Sequence, residues 1–316
     1  MQMLINVILL LIGFVLLTKG ADFFVDGASS ISKKFKIPPV IIGLTVVALG
    51  TSCPEAAVSI SAALRHNNAI AVSNVAGSNI FNILIVIGVC ALFNTIIVQK
   101  DIAKRDYPIC IGLSVFALLA VIDGTVSRLE GIILVACFFA YVILLIVHAL
   151  KEKEELPDEI KEFSIPVSIL FLIGGLAAIV IGGDLVVDYA SAIAKALGMS
   201  DTLVGLTIVA FGTSLPELIT SITAIKKGVV DLAVGNVIGS NIYNFVFVLG
   251  ASATISPISG LTGEASFDFA VALGAVIISF AFCVKSKSFN RGKGAIMVIL
   301  YAAYMAYIIC RNYGVI

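Results

Sequence analysis

The chain has 316 residues, 60% of them hydrophobic and 13% charged, with 20 basic residues balancing 20 acidic ones. Average soluble domains carry about twice that charge fraction, so a soluble fold is excluded, and the zero net charge implies no nucleic-acid partner. A mean hydropathy of +1.12 points to an integral membrane protein whose first partner is the lipid bilayer.

Apolar runs of about 20 residues, long enough to cross a bilayer, begin near Met3, Pro38, Ala69, Tyr107 and Leu129. They begin again near Ser164, Thr202, Leu232, Phe267 and Gly294. The predicted fold class is therefore an all-α membrane protein of about ten transmembrane helices, because spanning β-strands would give short alternating segments instead. The first run ends in small residues at Gly20 and Ala21. It lacks a basic region before it, and its Asp22 and Asp26 have partners deep in the chain, so it reads as a retained helix rather than a signal peptide.

Residues 1–150 form the first five-helix half and residues 164–316 the second. Between them, 151–163 carries the charge-dense run from Lys151 to Glu162 and reads as a solvated cytoplasmic linker. Most Lys and Arg residues fall in alternate loops: Lys33, Lys34 and Lys36; Lys100, Lys104 and Arg105; Lys151, Lys153 and Lys161; Lys226 and Lys227; Lys285, Lys287, Arg291 and Lys293. That asymmetry places both termini outside a cell membrane. An odd number of spans per half then inverts the second half relative to the first. The six cysteines sit in apolar segments without CxxC spacing and read as packing residues.

The two halves repeat one another. Gly50-Thr51-Ser52-Cys53-Pro54-Glu55 returns as Gly212-Thr213-Ser214-Leu215-Pro216-Glu217, an offset of 162 residues. At the same offset Asn74, Gly77-Ser78-Asn79-Ile80 and Asn82 return as Asn236, Gly239-Ser240-Asn241-Ile242 and Asn244. The repeats cover about 38–94 and about 200–256. Proline lacks an N–H, so Pro54 and Pro216 leave backbone carbonyls of the preceding turn without helical donors, and glycines ease the opening. Such carbonyls are tolerated at membrane depth only where they are buried or line a cavity, and they suit hard cations.

Glu55 and Glu217 follow those prolines. Each costs about 2.5–3.5 kcal/mol at mid-bilayer unless neutralised, which marks the pair as functional. By helical spacing, Thr51 and Ser52 share a face with Glu55, as Thr213 and Ser214 do with Glu217. Ser78 and Asn82, like Ser240 and Asn244, are four apart on the following helix. All these donors are oxygen, which favours Ca²⁺ or Na⁺ over zinc or copper. Asp22, Asp26, Asp184 and Asp188 are also paired by the repeat, and they read as hydrated or helix-packing residues.

At these motifs the sequence resembles the sodium/calcium exchanger family, prokaryotic type, of the cation/calcium antiporter superfamily, whose signature is a pair of inverted α-repeats. The resemblance implies that Ca²⁺ is held by the carboxylates of Glu55 and Glu217 and the backbone carbonyls of Thr51 and Thr213. It implies Na⁺ positions at Ser52, Ser78, Ser214 and Ser240 with the carbonyls of Ala48 and Ala210, completed by Asn82 and Asn244. It also implies that the first and sixth helices move against the rest to alternate access. One departure stands out: well-studied exchangers often carry an aspartate where both repeats here have an amide, Asn82 and Asn244.

The function expected is secondary antiport of Ca²⁺ against Na⁺, with no cofactor and no enzymatic reaction. Ca²⁺/H⁺ antiport, K⁺-dependent exchange and a cation channel are the alternatives. Protons compete with cations for buried carboxylates, but the serine hydroxyls would have no evident purpose in a pure proton exchanger. An intramembrane hydrolase is disfavoured because neither His66 nor His148 lies near Ser52 or Ser214 in sequence.

Overall fold

The computed structural model describes residues 2–151, 160–198, 210–261 and 263–312. Helix α1 spans Gln2–Phe35, α2 Pro39–Thr51 and α3 Cys53–Leu64. Helix α4, Asn68–Phe81, passes through a π-helical segment, Asn82–Ile87, into α5, Gly88–Phe93. After a π-helical segment at Ile102–Asp106 come α6, Tyr107–Val121, and α7, Arg128–Lys151.

The second half supplies α8, Ile165–Ala196, the short α9, Ala210–Gly212, and α10, Leu215–Lys226. Helix α11, Val230–Tyr243, continues through a π-helical segment, Asn244–Val248, into α12, Leu249–Ile255. Helices α13, Gly263–Ser286, and α14, Arg291–Asn312, close the chain. Strand β1, Ile96–Ile97, pairs antiparallel with β2, Ser288–Phe289, and Val126 bridges Ile258. These short pairings tie connecting segments together and leave the fold helical.

Among the described residues seven helices are long and apolar enough to cross a membrane, or up to eight if the bent pair α2–α3 is one span. They match the runs expected from Met3, Ala69, Leu129, Ser164, Leu232, Phe267 and Gly294, with the bent pair at Pro38. The run from Tyr107 yields an α-helix of only 15 residues. The start of the run from Thr202 lies outside the described residues, as does most of the 151–163 linker.

Burial sorts the helices into a centre and a shell. In the most apolar 18-residue stretch of each span, 94% of the residues are buried for Val230–Ile255 and 78% for Ile70–Phe93, against 22% for Gln2–Phe35 and Ile165–Ala196. The spans that carry the duplicated Gly-Ser-Asn motif are thus the core, and the others present Leu, Ile, Val and Phe outward as a lipid face must. At the periphery α1 and α8 pack along each other through glycines. A Cβ on Gly13 would lie 3.0 Å from the Gly182 carbonyl, one on Gly20 2.9 Å from the Gly175 carbonyl, and one on Gly27 2.7 Å from the Ser168 carbonyl. As one residue number rises the other falls, so the two helices run antiparallel. In the centre Gly43 and Gly235 bring α2 and α11 into backbone contact, since a Cβ on either would meet a carbonyl of the other helix at 2.5 Å.

Candidate functional site

The bend between α2 and α3 is 47° and falls at Ser52, whose φ of −88° and ψ of 8° leave the helical region. Pro54 stands in the first turn of α3 and cannot donate to the turn before it, so the helix restarts there. Ser214, at φ −95° and ψ 6°, breaks the second copy the same way before Pro216 in α10. Each break puts a glutamate in the first turn of the following helix, where orphan N–H groups and the positive end of the dipole favour negative charge.

Glu55 and Glu217 are both completely buried. Their hydrogen bonds cross between the halves: Ser52 Oγ donates to Glu217 Oε1 at 2.8 Å, and Ser214 Oγ donates to Glu55 Oε1 at 3.0 Å. The sequence spacing puts each serine and glutamate of one repeat on a shared face; in the structure the serine hydroxyl donates instead to the glutamate of the other half, across the break at Ser52 and Ser214. Ser240 Oγ approaches Glu217 Oε1 at 3.4 Å, and Ser78 faces Glu55. The other carboxylate oxygen of each glutamate, Oε2, has no hydrogen-bond partner.

The other residues of the expected site are for the most part interior. Ala48, Thr51, Ser78, Asn82 and Asn244 are buried, and Thr213 is half-buried in the turn before Ser214. Ala210 opens α9, and its side chain lies outside the described residues. Asn82 and Asn244 each begin a π-helical segment, and all four of their side-chain polar atoms are buried without partners. One carboxylate oxygen of each glutamate and the amide oxygens of Asn82 and Asn244 are therefore buried and unpaired, and buried polar groups of that kind need an account. Oxygen donors with two negative charges suit a hard cation. Among the described residues no cluster of three His, Cys, Asp or Glu forms, and no ion pair reaches Glu55 or Glu217.

Sequence reasoning passed over the residues that brace the site. Asn74 Nδ2 donates to the Glu55 carbonyl at 3.1 Å and to Ser59 Oγ at 2.8 Å; Asn236 Nδ2 does the same to the Glu217 carbonyl at 3.4 Å and Ser221 Oγ at 3.0 Å. Thr51 Oγ1 adds a bond to Asn236 Oδ1 at 3.0 Å. Both asparagines and both serines recur at the 162-residue offset, so the repeat itself held the signal. The histidines are elsewhere: His66 Nδ1 meets Ser256 Oγ at 3.1 Å and His148 Nε2 meets Asp101 at 3.2 Å.

Comparisons with known proteins identify the family. The family model described as sodium/calcium exchanger protein matches residues 5–147 and 167–310. The chain is 39% identical to the putative antiporter CaxA of Alkalimonas amylolytica, covering 96% of this chain and 98% of that one. It is 33% identical to the sodium/calcium exchanger MaX1 of Methanosarcina acetivorans, covering 95% and 97%. A solved structure of the sodium-calcium exchanger NCX_Mj, soaked with Na⁺ and Sr²⁺, superimposes with a TM-score of 0.85 at 33% identity, covering 96% of this chain and 99% of the other. A duplicated, buried, all-oxygen acidic site and a match over both halves lead to one conclusion: the chain belongs to the sodium/calcium exchanger family.

Proposed function

We infer that this protein is a secondary antiporter exchanging Ca²⁺ for Na⁺ across a cell membrane. The observation that carries the reading is the glutamate pair, fully buried, crosswise bonded by Ser52 and Ser214, with one unpaired oxygen on each. In this reading Ca²⁺ takes the carboxylates of Glu55 and Glu217 with the carbonyls of Thr51 and Thr213. Na⁺ uses Ser52, Ser78, Ser214 and Ser240 with the carbonyls of Ala48 and Ala210, and Asn82 and Asn244 complete the centre.

The chain then makes ten spans in two inverted five-helix repeats, with both termini outside and the 151–163 linker in the cytoplasm. Two observations support the inversion: crossed hydrogen bonds of equal kind from each half to the other, and connector pairings that the repeat relates, Ile96 with Phe289 and Val126 with Ile258. With Asn82 and Asn244 neutral, the side-chain charge of the centre is at most −2, which one Ca²⁺ or two monovalent ions balance.

That charge explains exchange. Without cations two carboxylates would face each other away from water, which repulsion and desolvation both oppose. A loaded site is offset and can change its exposure; an unloaded one cannot. Calcium uptake into proteoliposomes under imposed Na⁺ or H⁺ gradients tests the reading. Uptake driven by outward Na⁺ supports it. Uptake that follows only the pH gradient would replace it with Ca²⁺/H⁺ antiport, and flux independent of any counter-ion would indicate a channel.

A further inference from the structure

The repeat lets every contact in one half be checked against its counterpart in the other, and one set fails to match. Lys227, just after α10, lies 2.6 Å from Asp26 Oδ1, donates to the Asp22 carbonyl at 2.8 Å and stands 3.8 Å from the Asp22 carboxylate. Stepping back 162 residues turns Lys227 into Arg65, just after α3. Stepping forward turns Asp22 and Asp26 into Asp184 and Asp188 on α8. A basic residue and two aspartates are thus duplicated, yet among the described residues neither Asp184 nor Asp188 pairs with Arg65, and all three are exposed.

Packing differs in the same sense. Helix α1 packs along α10, whereas α8 makes no comparable contact with α3. Thr51 bonds Asn236 deep in the interior, whereas the repeat-related Thr213 and Asn74 are half-buried and make no such bond. Among the described residues, one end of the molecule is drawn shut and its repeat-related end shows no matching contacts. The shut end is held by α1, which is locked to α8 along the antiparallel glycine seam, so Asp26 and Asp188 ride at opposite ends of one two-helix body. A displacement that pulls Asp26 from Lys227 carries Asp188 along with it.

We propose that Lys227 and Arg65 are positioning residues of a reciprocal latch: Lys227 holds Asp26 and Asp22 in the arrangement seen here, and Arg65 takes Asp188 and Asp184 in the alternate one. The pairs exclude each other, because the α1–α8 body cannot reach both ends at once. Each latch stabilises one of the two exposures that exchange requires, so its purpose rests on the functional reading above.

The test uses full-length protein lacking its six native cysteines, in membranes. Asp26→Cys with Lys227→Cys serves as reference, and Asp188→Cys with Arg65→Cys reports the contact that the structure does not contain. A short bifunctional thiol reagent is expected to bridge both pairs, with bridging of one suppressing the other when all four cysteines are present. Bridging of the reference pair alone, at every Na⁺ and Ca²⁺ concentration, overturns the proposal. Charge exchange gives a second readout that a merely structural role would not move: Arg65→Asp should slow Ca²⁺ exchange roughly two- to fivefold, the range of a partly exposed ion pair, and adding Asp188→Arg should restore it. No rescue in protein inserted at wild-type amounts counts against the latch. Bridging requires no transport, so protein that bridges both pairs yet fails to exchange Ca²⁺ for Na⁺ would support the latch and refute the functional reading.

Discussion

Replacing Glu55 by Gln keeps the volume of the side chain and an oxygen for Ser214 to donate to, so the crossed bond at 3.0 Å can persist. What disappears is one negative charge from a pair that has no basic neighbour in any ion pair of the described residues. A Ca²⁺ ion in such a site would carry one uncompensated positive charge in a fully buried setting. Removing one partner of a buried charge pair costs about 3–5 kcal/mol. At about 1.4 kcal/mol per tenfold change, the half-saturating Ca²⁺ should rise by roughly a hundredfold to a few thousandfold. Glu217→Gln should do the same, because Ser52 holds Glu217 as Ser214 holds Glu55. The assay is radioactive Ca²⁺ uptake in Na⁺-loaded proteoliposomes, with thermal unfolding in detergent as a check that both variants fold. Exchange in either variant with half-saturation within threefold of wild type would falsify a shared Ca²⁺ site.

Ser78→Ala and Ser240→Ala should raise the Na⁺ needed for half-maximal exchange more than they weaken Ca²⁺ binding, measured by isothermal titration; equal effects on both ions would remove the assignment of these hydroxyls to Na⁺. Acidification should slow exchange, since protonating Glu55 or Glu217 removes the negative charge that Ca²⁺ requires, and a flat pH profile of uptake would contradict that. Gly239→Ala should cost about 1–3 kcal/mol of stability as an overpacked contact, because its Cβ would sit 2.7 Å from both the Ala48 Cβ and the Leu44 carbonyl; Gly77→Ala, which meets nothing within 4 Å, should stay within about 0.5 kcal/mol. A cysteine at Glu155 in a cysteine-free background should resist an impermeant thiol reagent in intact cells, and ready labelling would reverse the proposed topology.

The residues of the proposed centre are legible in the sequence because it states them twice. A buried acid next to a proline costs too much to be duplicated without purpose, which singles out Glu55 and Glu217 in the sequence alone. Who bonds whom was not legible. Spacing within one helix suggested Ser52 with Glu55, and only the break at Ser52 shows that the hydroxyl serves the other half. The π-helical segments starting at Asn82 and Asn244 were also hidden, because apolar runs such as Ile83–Ile87 look alike whether they turn as α or π. Asn74 and Asn236 were visible as repeated residues, but their role as braces of the glutamate carbonyls needs positions in space. Lys227 read as a loop charge and Asp26 as a hydrated or packing residue for the same reason: their 205- to 201-residue separation from one another's helices is closed only by folding.

The crossed bonds also decide which part of the molecule can move while the site stays intact. Glu55 is held by Ser214 from the second half and Glu217 by Ser52 from the first, so sliding one half's centre past the other would break both bonds at once. Those residues belong to the α2–α3 and α10 helices, packed against the most buried spans of the fold, with Gly43 and Gly235 in backbone contact. The α1–α8 pair shares in neither the crossed bonds nor the Gly43–Gly235 contact: it lies mostly at the periphery, packs along α10 through α1, and is joined there at Lys227 by a partly exposed ion pair. Under the proposed exchange cycle, a solvent-screened ion pair at the edge of the centre would let the exposure of the site switch sides while the crossed bonds stay intact. In that cycle the cation's charge would set when the switch occurs, because a loaded pair of glutamates loses its water at lower cost than an empty one.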